Sequence, residues 1–416
     1  MRVFKFGGAS VKDAEGVRNL ASVLKTTGHD KTLVVVSAMG KTTNRMELVI
    51  KNYFENKGEL HSAIHEVVKC HNDLLLDLFE NNRHQVFTDV KLHFDELNLF
   101  FKSNKSPDYN FVYDQAIGYG ELISTTIISH YLNEIGLNNN WIDVRDFIKT
   151  DNYYRRSNVN WEQTQGKIAL NFNTSILNIT QGFLGSDANN FTTTLGREGS
   201  DYTAAIFAYC LNANSVTIWK DVPGVLNADP RYFENAQLLH QISYREAIEL
   251  AFYGASVIHP KTLQPLQQKE IPLYVKSFLN PTGDGTRVSK SKALEPEIPC
   301  FIVKKNQILI SLSSLDFSYI MEENISEIFS LLHLYKMKVD VIQNSAISFS
   351  VCIDNLYDNL EKLLQHLKAK FKVTCHDNVS LYTIRHYNDV AINELEKGKS
   401  VLLKQLTQGT VQIVTK

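Results

Sequence analysis

Apolar positions along this chain recur with two different periods. Val3 to Phe6 is a short apolar run closed by Gly7-Gly8, and Val17, Leu20, Ala21 and Leu24 then fall at i, i+3, i+4 and i+7, one face of a helix ending near Gly28. Leu33 to Val36 is a β-branched run of the buried-strand kind. Residues from about 45 to 105 carry two helical stripes. One runs from Ile64 through Val67, Val68, His71, Leu74 and Leu75 to Leu78, and the other joins Val90, Phe94, Leu97 and Phe101. These predict helices covering a sheet, with His61, His65, His71, His84 and His93 at surfaces or edges and in no metal-ligand spacing. Alternation resumes at Gly118-Tyr119-Gly120-Glu121. Strands are predicted at Ser175–Thr180, Ser215–Trp219 and Ile271–Lys276, and a helix at Ser243–Tyr253 with a capping box, Ser243 to Glu246, and a stop at Gly254. Pro260 suits the first turn of a further helix. Buried strands alternating with helices predict an α/β domain with a largely parallel sheet over residues 1–285.

The pattern changes after the turn-rich Asn280-Pro281-Thr282-Gly283-Asp284-Gly285. Residues 286–304 are expected to form a linker. Over 305–377 the order is strand, helix, strand, strand, helix, strand, a ferredoxin-like α+β unit. Over 378–416 a strand at Val379–Ile384, a helix at Val390–Leu406 and a strand at Val411–Val414 are expected, an incomplete second unit.

Charge narrows the function. There are 43 Lys+Arg against 45 Asp+Glu, a net charge of -2, which argues against nucleic acid or an anionic membrane surface as the main partner. No apolar stretch approaches the ~18 residues of a membrane span, and the N-terminus lacks the apolar run of a signal peptide. The cysteines, Cys70, Cys210, Cys300, Cys352 and Cys375, are odd in number and scattered, which suits a reducing cytoplasm and excludes a disulfide framework or cysteine zinc site.

Glycine loops follow the predicted strands. Lys5-Phe6-Gly7-Gly8-Ala9-Ser10 runs into a helix, so backbone N–H groups and the helix N-terminus favour an anion there. Thr194-Leu195-Gly196-Arg197-Glu198-Gly199-Ser200-Asp201 packs a cation, acids and a hydroxyl among glycines, a mixture that a purely structural turn rarely needs. In Trp219-Lys220-Asp221-Val222-Pro223-Gly224 and Ala228-Asp229-Pro230-Arg231, turn chemistry leaves Lys220 and Arg231 available for phosphates. Gly40-Lys41-Thr42 imitates the end of a Walker A loop, but position 35 is Val35 where that loop needs glycine.

With these loops, Thr43-Asn44, Gln181-Gly182-Phe183-Leu184-Gly185, Gly199-Ser200-Asp201-Tyr202-Thr203-Ala204-Ala205 and Gly254-Ala255 before His259-Pro260, the chain resembles the aspartokinases of the amino-acid kinase superfamily over nearly its whole length. The resemblance implies a three-layer α/β sandwich with C-terminal ferredoxin-like (ACT) regulatory units, and transfer of phosphate from ATP to the side chain of L-aspartate. That carboxylate, with an ordinary pKa of about 3.9, is ionised at neutral pH and needs no general base. Two unit charges 4 Å apart repel by roughly 4 kcal/mol at an effective dielectric of about 20, so the site must supply positive charge and orientation.

By the same resemblance, Lys5 is the cation at the transferred group and Asp201 organises Lys5 and the metal-bound phosphates. Arg197 holds the substrate α-carboxylate and Glu121 its ammonium, with Thr43, Ser200 and Phe183 completing the pocket. Gly7, Gly8 and Ser10 cradle phosphate, while Ser37, Lys220, Asp221 and Arg231 stand on the nucleotide side. Mg²⁺ arrives with ATP, held by phosphate oxygens and water rather than by a metal site of the protein. Asp340 and Ser345 resemble positions that hold a lysine effector, and a homodimer through the ACT-like region is expected. Three departures stand out: Lys220 where many members have Thr and Ser256 where they have Lys, Glu198 where many have Gly, and the short second ACT-like unit. The alternatives are a related kinase of glutamate, acetylglutamate or UMP, and a catalytically dead amino-acid sensor.

Overall fold

The computed structural model describes residues 1–255, 258–290, 294–316 and 318–416; Ser256, singled out above, lies outside them. The chain divides into two units. The first comprises Met1–Val225, Leu238–Ile248 and Val257–Leu294, the second Leu226–Gln237, Glu249–Ser256 and Glu295–Lys416.

The first unit opens with β1 (Arg2–Phe6), a short 3-10 turn at Gly8–Val11, α1 (Ala14–Thr27) and β2 (Thr32–Val36). The Asp13 side chain caps α1 by accepting from the Gly16 N–H, and Gly28 ends it at φ 81. The region rich in helical stripes forms α2 (Thr42–Glu55), α3 (Lys57–Leu78) and α4 (Gln85–Ser103). His71 is not a surface residue as expected. Its stripe faces inward, it is buried with Nδ1 2.8 Å from the Val67 carbonyl, and burial pulls its pKa below the usual histidine value. There follow α5 (Tyr109–Ile117), α6 (Tyr119–Glu134), β3 (Asn139–Ile142), α7 (Trp161–Asn171), β4 (Leu177–Gln181), the hairpin strands β5 (Leu184–Ser186) and β6 (Thr192–Thr194), and α8 (Gly199–Leu211). After β7 (Ser215–Lys220) come β8 (Gln241–Ser243), α9 (Tyr244–Tyr253), α10 (Pro260–Gln268), β9 (Leu273–Ser277) and β10 (Thr286–Ser289).

The strands build one eight-stranded sheet in the order β3-β4-β2-β1-β7-β9-β10-β8, parallel except at the β9–β10 pair. β1 lies in its interior, so Lys5 at the C-terminal end of β1 pairs in register with Val35 and Ile218. The core beneath gathers Phe4, Phe6, Val34, Val36 and Ile179 with apolar faces of α1 to α6. Trp219 stacks on Phe6 and meets Phe4 edge-on, which pins β7 to β1 beside the Lys5 loop.

The second unit carries an antiparallel six-stranded sheet from β11 (Cys300–Ser313), β12 (Lys338–Asn344), β13 (Ser348–Asp354), β14 (Lys372–Arg385), β15 (Val401–Thr407) and β16 (Thr410–Thr415), in the order β12-β13-β11-β14-β16-β15. Helices α11 (Glu322–Leu334) and α12 (Leu360–Lys368) cover Ile308, Ile310, Phe349 and Val351 on one part of it. The third, α13 (Asp389–Glu396), joins Tyr382, Ile384, Val411 and Ile413.

Here the structure departs from the sequence pattern in two ways. The helix expected at Val390–Leu406 ends at Glu396, and Val401–Thr407 is instead a strand in a hairpin with β16, because Leu403 and Val414 have an apolar core to enter. Residues 286–304 are not a plain linker either. Thr286–Ser289 belongs to the first sheet, and Cys300–Lys304 begins β11, pairing with Leu381–Arg385 of β14. The stretch after Val379 is therefore strand, helix, strand, strand, and its fourth strand comes from a segment that precedes the ferredoxin-like unit.

Candidate active site

The C-terminal ends of β1 and β2 and the N-terminal end of α8 converge on a cavity of about 480 Å³. Its lining includes Lys5, Ser37, Thr43, Glu121, Phe183, Arg197, Ser200, Asp201 and Lys220, all singled out from sequence. Lys5 Nζ lies 2.6 Å from Asp201 Oδ1, and both side chains are almost enclosed, 11% and 4% exposed. Asp201 sits in the first turn of α8, whose dipole favours an anion at that end. Ser37 donates its hydroxyl to Ser200 Oγ at 3.0 Å, and Ser124 donates to the Ser37 carbonyl at 2.8 Å.

Backbone close approach fixes these groups. A Cβ on Gly182 would stand 2.4 Å from Ser200 Cβ, so only glycine lets β4 run this close to α8. A Cβ on Gly8 would meet the Ala38 carbonyl at 2.8 Å, and Gly40 donates its N–H to the Gly8 carbonyl at 3.0 Å. The Gly7-Gly8 turn is thereby clamped against the loop that carries Ser37. Phe183, at φ 74, donates its backbone N–H to Thr203 Oγ1 at 3.0 Å, which turns its ring to the cavity wall.

Glu121 is the most perturbed acid. It is 4% exposed, its Oε2 has no hydrogen-bond partner, and burial raises its pKa to about 8, partly offset by the backbone N–H groups of Ala38 and Glu121 itself. A buried carboxyl left in this state is prepared for a cation from outside the protein. Glu198, also in the lining, has a buried, unpartnered Oε2 and adopts φ 53 as it leads into α8.

Other expected residues stand differently. Ser10 is buried and its hydroxyl donates to the Trp219 carbonyl at 3.3 Å. Gly7, Gly8, Ser10, Asp221 and Arg231 are absent from the cavity lining. Arg231 belongs to the second unit, where its guanidinium is exposed and grips Asp229, with Nη2 2.6 Å from Oδ2. Also in the second unit, Asp340 Oδ1 lies 2.7 Å from Lys304 Nζ and 4.0 Å from Lys338 Nζ, while Ser345 Oγ is 2.6 Å from Ser348 Oγ.

Sequence reasoning missed Tyr113 and Arg155, which share the cavity, and Asp114 behind them. Asp114 is fully buried, accepts from the Thr194 N–H and hydroxyl at 2.8 and 2.9 Å, and has its pKa raised to about 6 by burial. One signal was available: an acid set inside the apolar stripe Val112, Tyr113, Ala116, Ile117.

Residues 1–277 match the amino acid kinase family. The chain is 29% identical over 394 residues to lysine-sensitive aspartokinase 3 of Escherichia coli, covering 92% of this chain and 86% of that protein. Against a bifunctional aspartokinase/homoserine dehydrogenase of Arabidopsis thaliana it is 29% identical and spans 42% of that protein. The crystal structure of E. coli aspartokinase III with lysine and aspartate superposes with a TM-score of 0.84 at 27% identity, covering 100% of this chain and 95% of that one. The form with aspartate and ADP gives 0.79. The chain belongs to the amino acid kinase family and, within it, to the aspartokinases.

Proposed function

We propose that this aspartokinase transfers the γ-phosphoryl group of ATP to the side-chain carboxylate of L-aspartate, giving 4-phospho-L-aspartate and ADP at the cavity between β1 and α8. One observation carries the assignment: the enclosed Lys5–Asp201 pair shares a cavity with Glu121, a buried carboxyl that lacks a partner, and with Arg197. An amino acid supplies what those side chains lack. Its ammonium meets Glu121, its α-carboxylate meets Arg197, and Thr43, Ser200 and Phe183 close around its carbon chain.

The side-chain carboxylate oxygen attacks the γ-phosphorus, the bond to the bridging oxygen breaks, and ADP leaves with its electron pair. Lys5 offsets the repulsion between the two anions, and Asp201 holds the Lys5 ammonium where the phosphoryl group passes. Ser37 and Lys220, which line the cavity, are assigned to its nucleotide end, and in this reading Gly7, Gly8, Ser10 and Asp221 serve the nucleotide beyond it, while Arg231, in the second unit, takes no part in the assignment. In this reading Mg²⁺ comes with ATP, held largely by phosphate oxygens and water.

The second unit is read as regulatory and as the route to a homodimer. The E. coli relative is named lysine-sensitive, and its structure with lysine resembles this chain, which supports lysine as the effector, near Asp340 and Ser345. β12 and β15 end the six-stranded sheet and touch where Gln405 Nε2 donates to the Ile342 carbonyl at 3.1 Å; a second chain would pair with the edge groups that this contact leaves. A cytoplasmic location is part of the same reading, since cysteines that are odd in number and scattered suit a reducing compartment. ADP release with aspartate, and none with glutamate, acetylglutamate or UMP, tests the reaction. A monomer by light scattering would exclude the dimer.

A further inference from the structure

The cavity holds a second guanidinium, Arg155, to which the proposed roles give no work. Its backbone is costly for any residue with a side chain, since φ is 68, in the left-handed region. The turn is held there by Asp114, whose two carboxylate oxygens accept from the Arg155 N–H at 3.1 and 3.0 Å. The same carboxylate accepts from Thr194, at the end of β6, the strand that leads into Gly196-Arg197. A Cβ on Gly196 would stand 3.2 Å from the Arg155 carbonyl oxygen, so the two backbones run side by side. One buried acid thus ties together the two turns that present Arg155 and Arg197.

The Arg155 guanidinium lies over aromatic rings, 4.4 Å from the Tyr113 centroid and 5.7 Å from that of Tyr109. Tyr113 is itself fixed by donating to Glu47 Oε1 at 3.0 Å. A guanidinium stacked on a ring keeps its edge N–H groups free for a carboxylate. Arg155 makes no ion pair among the described residues.

Resting on the aspartate-kinase reading, we propose that Arg155 is a specificity-determining residue of the acceptor site, joining Arg197 on the α-carboxylate of the amino acid. The acceptor has three charged groups. The reacting carboxylate belongs at Lys5 and the ammonium at Glu121, which leaves the α-carboxylate for the arginines. Both arginines are exposed, and one exposed ion pair contributes little. Two guanidinium groups on turns tied to a common buried acid form a clamp already arranged before the substrate arrives.

The test compares wild-type enzyme with Arg155→Gly and Arg155→Lys. Glycine accepts the left-handed backbone without strain, so Arg155→Gly removes the guanidinium while relieving φ 68, and its thermal midpoint should not fall. Each enzyme is assayed with L-aspartate and with L-aspartate α-amide, which keeps the ammonium and the reacting carboxylate but lacks the α-carboxylate charge. Where the amide is not turned over, its inhibition constant against aspartate replaces kcat/KM. Arg155→Gly should reduce the preference for aspartate over the amide at least tenfold, with KM for ATP within twofold of wild type, and Arg155→Lys should fall between. A preference unchanged in Arg155→Gly, whatever its overall rate, overturns the role. Absence of turnover of aspartate by the wild-type enzyme would instead overturn the underlying reading, and the proposal with it.

Discussion

The Lys5 ammonium and the Asp201 carboxylate stand 2.6 Å apart, one at the end of an interior strand and the other in the first turn of α8. Removing either leaves the other charged group enclosed without its partner. Lys5→Ala should lower kcat by a hundredfold or more, the scale of losing one electrostatic stabiliser of the transition state. Asp201→Asn should also lose most of kcat while still binding ATP measurably by calorimetry. Near-normal kcat in either variant would move the phosphoryl-transfer centre elsewhere.

Glu121 should give the enzyme a pH signature. With its pKa raised to about 8 by burial, the free enzyme holds it neutral below that pH, and pairing with the substrate ammonium requires the ionised form. KM for aspartate should therefore fall as pH rises towards 8, and Glu121→Gln should raise KM and flatten that slope. Stability has the opposite sign. Between the ordinary value of 4.5 and about 8 the folded protein binds the proton and the unfolded chain does not. This contribution to stability is complete below 4.5 and is lost as pH rises through about 8. Melting curves of wild type and Glu121→Gln across that window should converge at low pH and separate at high pH, with the variant the more stable.

Arg197→Ala and Glu121→Ala should both act on aspartate and spare ATP. The larger rise in KM should come from Glu121→Ala, because Glu121 is buried whereas Arg197 is exposed and its pairing is screened by water. A larger effect of either variant on KM for ATP would place that residue at the wrong end of the cavity.

Gly182→Ala introduces a Cβ 2.4 Å from Ser200 Cβ and 2.7 Å from its Cα, so α8 must shift. Overpacking of this kind costs about 1–3 kcal/mol. Because Asp201 follows Ser200 in the chain, activity should fall with stability, read as kcat and thermal midpoint on the same sample. Full activity with an unchanged midpoint would show that the β4–α8 approach is looser than the structure has it.

Lys304 already supplies an ammonium to Asp340 at 2.7 Å. A lysine effector at Asp340 would share the carboxylate with Lys304, taking the buried, unpartnered Oδ2 beside a like charge, so inhibition by lysine should be weak. Lys304→Gln should lower the lysine concentration for half-inhibition, and Asp340→Ala should abolish the response. Strong inhibition by threonine, or a lysine response indifferent to both substitutions, would place the effector elsewhere.

The loops that line the cavity were legible because their chemistry is local. A lysine and paired glycines after a strand, or Gly-Arg-Glu-Gly-Ser-Asp before a helix, declare an anion site from a few neighbouring residues, and nine of the expected side chains share one cavity. The parallel sheet was legible as well, since interior strands such as Leu33–Val36 must be apolar on both faces. The strand at Val401–Thr407 was not. Its alternation is weak, and only the apolar partners Val341, Val379 and Val414 decide that Leu403 belongs to a sheet. The same holds for Cys300–Lys304, whose pairing partner lies far along the chain in β14. Arg155 and Asp114 escaped notice because their meaning is a hydrogen bond between distant segments, and no periodicity within either segment encodes it. The sequence by itself determined the class of fold and, through local patterns in the glycine loops, most of the side chains that meet in one cavity. Only the tertiary structure decided which buried carboxyls go unpaired, which arginines share a cavity and which strands complete the second sheet. Those properties depend on the desolvation and long-range contact that folding creates.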